Sequence, residues 1–162
     1  MSQAFIDLSR AEFALFHRRA AKALAQLTDE DVNWRPNDDS NSIANLVVHM
    51  AGGTKQRFLT GILGEPDTRD RDAEFNLRAT MSKEQVLALW DESMGMIDRV
   101  LAGLAPERLT ETQQVREHTH THQQVILRQM AHIGEHVGQI LYIAKLRMGG
   151  GFAHVSIPHR RA

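Results

Sequence analysis

Cysteine is missing from all 162 residues. Disulfides, protein thiolate nucleophiles and cysteine-ligated zinc are thereby excluded. No apolar run approaches the ~18 uninterrupted residues of a membrane span. The opening stretch MSQAFIDLSRAEF has no basic segment followed by an apolar one, so no signal peptide is expected. These absences make a cytoplasmic protein with no membrane partner the default expectation. Basic charge is not in excess either: 19 Lys and Arg stand against 20 Asp and Glu, a formal net charge of −1. The electrostatic footprint of a phosphate-tracking surface is absent, and no nucleic-acid partner is expected.

What remains is ordinary globular composition, 42% hydrophobic and 24% charged. The length suits one domain over residues 1–162 with a real core. Apolar residues recur at mostly three- and four-residue intervals from Gln3 to Leu27, which predicts a long first helix. TDEDVNWRPNDDSN (28–41) reads as a linker, broken by Pro36 and its polar neighbours. A second helix follows, capped by Asn41 or Ser42. Its stripe is Ile43, Val47, Met50, Thr54, Phe58 and Ile62. Gly52 and Gly53 interrupt it, each costing up to about 1 kcal/mol relative to alanine. Close approach of a helix or ligand is one reason to keep them; weak selection is the other.

Residues 64–80 form a charged connection without clear periodicity. Ser82 and Gln85 read as a capping box that opens a third helix, stopped by Gly103 and Pro106. The polar stretch RLTETQQVREHTHTH alternates in a way that allows a short extended piece. A fourth helix is expected from about His122 to Met148. The tail from residue 148 to 162 is too short for a domain and is expected to lie on the bundle or a partner. Four amphipathic helices with no convincing strand predict an all-α four-helix bundle.

Nine histidines are present, and two of them, His132 and His136, stand four apart in LRQMAHIGEHVGQILYIAKL. On ideal geometry they flank the fourth helix's apolar stripe, about 90–130° from its centre. His49 flanks the second helix's stripe in a similar way. The three could converge at a bundle edge, the pair with Cα atoms about 6 Å apart. Three imidazoles would leave a position for water or substrate, as catalytic rather than structural zinc requires. Periodicity alone leaves surface histidines as the alternative. HIGEH also fits the inverted zinc-peptidase pattern with Glu135 as general base, but few residues follow His136. Glu135 reads more simply as a solvated carboxylate or one that orients a ligand. His118, His120 and His122 alternate with threonine in an exposed connector and are weaker candidates.

NSIANLVVH, followed downstream by RQMAHIGEHVGQI, resembles the DinB-like (YfiT-like) superfamily. The likeness extends to a subfamily of unknown function through GGTKQRF, RDRDAEF, HVGQILYIAKL and the late SIP, and so covers nearly the whole chain. The resemblance implies a four-helix bundle with a three-histidine divalent-metal site, usually zinc or nickel. Its ligands here would be His49, His132 and His136. It implies a homodimer acting on a small molecule, and relatives include enzymes that use a low-molecular-weight thiol such as bacillithiol or mycothiol. A thiol S-transferase or a hydrolase is therefore expected; a non-catalytic metal- or small-molecule-binding bundle is the alternative. Around such a metal, Arg57 is a candidate anion clamp, or else an ion-pair partner of Glu74 or another acid in RDRDAEF. Gln139 is placed to bond a ligand or a histidine ring, Gly138 to admit a close helix, and Asn45 to support the site or face solvent.

Overall fold

The fold is known from a computed structural model that describes residues 1–75, 80–115 and 117–156. Four long helical stretches build a bundle: α1 (Ser2–Leu24), α3 (Ile43–Thr54) continued by a π-helical segment (Lys55–Ile62), α5 (Lys83–Ala102) and α6 (His122–Met148). Short helices α2 (Asp29–Asn33) and α4 (Arg71–Glu74) sit in the two long connections. Both α1 and α3 pack against α5 and α6. One core draws on buried residues from Ile6 to Phe152, with Trp90, Phe58, Ile97 and Ile133 at its centre. Among the described residues no helix is long and apolar enough to cross a membrane.

The polar residues that start the helices do so by satisfying amides that a helix leaves unpaired. Ser42 Oγ accepts from Asn45 N–H at 3.2 Å, and Asn45 Oδ1 accepts from Ser42 Oγ at 2.8 Å. Asn45 is buried and belongs to this cap, so it does not face solvent. Ser82 with Gln85 forms the expected box, and Thr121 with Gln124 forms another at the start of α6.

Four differences from the expected helices have local causes. The first helix stops at Leu24, where Gln26 and Leu27 turn back onto the Ala23 and Leu24 carbonyls, although Leu27 remains in the core. The linker holds α2, capped by a Thr28–Asp31 box. The second helix changes winding after Thr54: Leu63 N–H donates to the Phe58 carbonyl, an i→i+5 bond. The alternating polar stretch forms an antiparallel hairpin of β1 (Thr112–Val115) and β2 (His118–Thr121), with Gln113 opposite His120. Its inward residue Gln113 fills the place of a side chain at Gly61, where a Cβ would collide with the Gln113 amide. Beyond Met148 the chain returns to the turn that follows α1: Ala153 N–H donates to Gln26 Oε1 at 2.7 Å, and Phe152 is buried. The last six residues of the tail, including most of SIP, lie outside the described residues.

Candidate metal centre

His49 comes from the middle of α3, and His132 and His136 from successive turns of α6. The fold brings their rings together at the bundle edge. His49 Nε2 lies 3.0 Å from His132 Nε2, which lies 3.1 Å from His136 Nε2. One ligand atom from each falls within 4.8 Å of the others, a grouping that could hold a metal ion. Two nitrogens about 2.0–2.1 Å from one ion, at angles near tetrahedral or somewhat smaller, stand about 3.0–3.4 Å apart. The observed spacing matches that requirement.

The opposite edges of two rings show which nitrogen is turned inward. His49 Nδ1 donates to Glu74 Oε2 at 3.0 Å, and His136 Nδ1 donates to Gln139 Oε1 at 2.8 Å. Neutral rings that donate through Nδ1 carry a bare lone pair on Nε2. Of the three Nε2 atoms, only that of His132 is left to carry a proton, and it can donate to one neighbour alone. One short contact would then set lone pair against lone pair, whereas a cation at the centre satisfies all three. His132 Nδ1 is buried without a hydrogen-bond partner among the described residues, so this ring alone lacks an orienting bond.

Burial favours the neutral form of two of the rings. It pushes the His132 imidazole down to about 3, with the nearby charges of His136 and Arg57 acting the same way. Burial also lowers His49, and its bond to Glu74 only partly opposes the shift. For Glu74, burial alone would raise the carboxyl; bonds from Arg69 and His49 outweigh it and bring the pKa below the ordinary value.

Glu74 is the residue whose role sequence spacing missed. Its carboxylate accepts from Arg69 Nε at 2.6 Å and from Arg69 Nη2 at 2.7 Å, so the acid expected to pair with Arg57 is held by Arg69. Arg69 in turn donates to Gln56 at 2.8 Å, and Gln56 to Asp67 at 2.8 Å, pinning the loop to the π-helical segment. Phe75 packs on His49 with ring centroids 4.9 Å apart. Gly52 is small for a specific reason: a Cβ there would collide with the Glu74 carboxylate. A cleft of about 430 Å³ is lined by Gln56, Arg69 and Glu74 but by none of the three histidines.

The other candidates separate cleanly. Arg57 Nη1 donates to Gln129 Oε1 at 2.7 Å, beside His132. Gln139 meets His136, as the one-turn spacing allows. Glu135 is exposed and meets none of the three rings. Gly138 has no neighbour near its missing Cβ among the described residues; close packing instead falls at Gly134, where that position lies 3.2 Å from the Phe16 ring. His118 and His120 lie on β2, while His122 is buried at the start of α6, so His118 and His122, although four apart in sequence, share no helix face.

Comparison with solved structures finds a DinB-like protein from Bacillus cereus, superposing with a TM-score of 0.66 over 83% of this chain and 87% of that one. Identity is 12%, so the likeness is one of fold. Comparison with curated proteins gives no match. Residues 1–161 match the family described as protein of unknown function (DUF1572), and the chain belongs to that family.

Proposed function

We propose that this protein binds a divalent metal ion, zinc or nickel, through His49, His132 and His136, and uses it as an enzyme on a small-molecule substrate. The observation that carries this reading is the meeting of three Nε2 atoms at 3.0 and 3.1 Å while two of the rings are anchored through Nδ1. When bound to three neutral imidazoles, such an ion supplies Lewis acidity that brings a bound water toward a pKa of about 7 or deprotonates a bound thiol. The chain's own residues do the rest. Glu74 and Gln139 fix the tautomers of His49 and His136, and Arg69 fixes Glu74. Phe75 covers one face of His49 and limits water there. With no cysteine in the chain, a thiolate nucleophile must arrive as a low-molecular-weight co-substrate. Thiol S-transfer and hydrolysis are the two reaction types this arrangement suits.

The proposal extends to a homodimer, which sedimentation of the metal-loaded protein tests by mass. Activity is tested by screening electrophilic and hydrolysable small molecules with several cellular thiols, with and without added zinc or nickel. Turnover that requires metal and is lost in the His49→Ala, His132→Ala, His136→Ala triple variant supports the enzyme. Metal bound without turnover above that of the variant supports the non-catalytic binding bundle.

A further inference from the structure

A separate cleft of about 420 Å³ opens between the π-helical segment and α5, and none of the three histidines lines it. One wall carries Lys55, Leu59 and Leu63, four residues apart along the segment and its C-terminal cap. The other carries Met96 and Val100, with Leu104 just beyond the helix end. Those last three are buried and form the floor, whereas Leu63 is 48% exposed at the mouth. A single exposed leucine on a protein surface is ordinary. Here it extends an apolar lining into a concave site, and clefts that hold small molecules measure about 300–1,000 Å³.

Positive charge gathers at the same cleft. Lys55, Arg99 and Arg108 line it with one carboxylate, that of Glu92, although the chain as a whole carries a net charge of −1. Lys55 and Arg99 are exposed, and neither has a hydrogen bond or ion pair among the described residues. Asp98, the acid that feels the charge of Arg99, is bonded by Arg10 at 2.8 Å. Arg108 is fixed in place instead. Its Nε donates to Glu111 Oε2 at 2.9 Å, which offsets its charge, and its Nη2 donates to the Ile62 carbonyl at 2.8 Å. That second bond ties it to the end of the π-helical segment, a winding that is rare and recurs at functional sites. Two unpartnered cations and one fixed cation thus border an apolar floor.

We infer that this cleft binds a small anionic amphiphile, its apolar body on Leu59, Leu63 and Met96 and its carboxylate or phosphate head met by Lys55 and Arg99. The inference stands apart from the metal reading, since it concerns a different cleft and different residues. A neutral ligand would leave both cations without a partner, and a cationic one would meet charge of its own sign. An inorganic anion would leave the apolar floor open to water. An amphiphilic anion uses both halves of the cleft, and charge-assisted bonds from ammonium and guanidinium groups are the strong ones.

The test titrates octanoate, and in a separate arm octyl phosphate, into the isotopically labelled full chain while its amide NMR signals are followed. Octanol and octyltrimethylammonium serve as the neutral and cationic counterparts, all below the concentrations at which they form micelles. Saturable one-to-one binding of at least one anion is expected, with shifts gathered at Leu59, Leu63 and the Met96–Leu104 stretch. The tighter arm identifies the head group. Octanol and the cation are expected to bind about tenfold or more weakly, and the Lys55→Gln, Arg99→Gln double variant to lose a similar factor for the anion. Both substitutions fall at exposed positions and should leave the fold intact. If the double variant does not fold, Leu63→Glu decides: a carboxylate at the mouth should weaken the anion, and unchanged binding overturns the inference. Anion and octanol of equal affinity, binding untouched by the double variant, or no saturable binding of either anion also overturns it. So do shifts that gather around His49 and His136 instead.

Discussion

At the scale of single residues, Glu74 does two jobs with one carboxylate. It accepts a hydrogen bond from His49 Nδ1 and neutralises Arg69, and its own ionised form is kept by both partners. Carboxylates that orient metal-binding imidazoles in this way commonly change metal affinity by about 10–100-fold when removed. Glu74→Gln is therefore expected to weaken zinc binding by about that factor, measured by competition with a chromophoric chelator. Unchanged affinity would show that His49 needs no orienting partner. Spacing singled out His132 and His136, allowed His49 beside them without deciding it, and placed Gln139 one turn from His136; the family resemblance supplied His49 as the third candidate. Spacing did not show which acid of RDRDAEF turns inward, because a connection without periodicity does not say which side chain faces the helix. The exchange of Arg57 for Arg69 as partner of Glu74 has that same origin.

At the scale of elements, the long helices were legible because each buries a stripe at three- and four-residue spacing, and α3 and α5 also open on recognisable caps. The π-helical segment was hidden, since Thr54, Phe58 and Ile62 at four-residue intervals suit either winding. The hairpin was only partly legible: alternation allowed a short extended piece, but its strands are four residues long and the buried residue of β1 is a glutamine rather than an apolar side chain. Helix α2 ties the linker to the end of α6. Arg147 donates to Asp31 at 2.6 Å and to Glu30 at 3.0 Å, with its guanidinium over the Trp34 ring. Burial alone would raise the Asp31 carboxyl, but bonds from Arg147 and Thr28 outweigh it and bring the pKa below the ordinary value. Folded Asp31 thus ionises at lower pH than in the unfolded chain, near 3.9. Its stabilising contribution is complete above that unfolded value and is lost as pH falls through the folded one. Asp31→Asn is expected to lower the melting temperature at pH 7, with the gap from the natural protein closing below about pH 4. A gap that stays constant down to pH 2 would mean that the ion pair contributes nothing.

At the scale of the whole molecule, the candidate centre joins segments that are remote in sequence. His49 and His132 are 83 positions apart, and Glu74 reaches the site from a loop 25 positions beyond His49. An ion held by α3 and α6 together would bind the folded chain and not the unfolded one. Such binding stabilises by about 2.7 kcal/mol when free ligand is 100 times its dissociation constant. Thermal unfolding is accordingly expected several degrees higher with zinc or nickel than with a chelator. The increment should vanish in the triple histidine variant; a shift that survives there would place the ion elsewhere.

The most direct measurement of the central claim is the metal content of extensively dialysed protein, determined beside His49→Ala, His132→Ala and His136→Ala. The account predicts one divalent ion per chain in the natural protein and its loss in each single variant, with helical content preserved. Metal content that is unchanged by all three substitutions would contradict it.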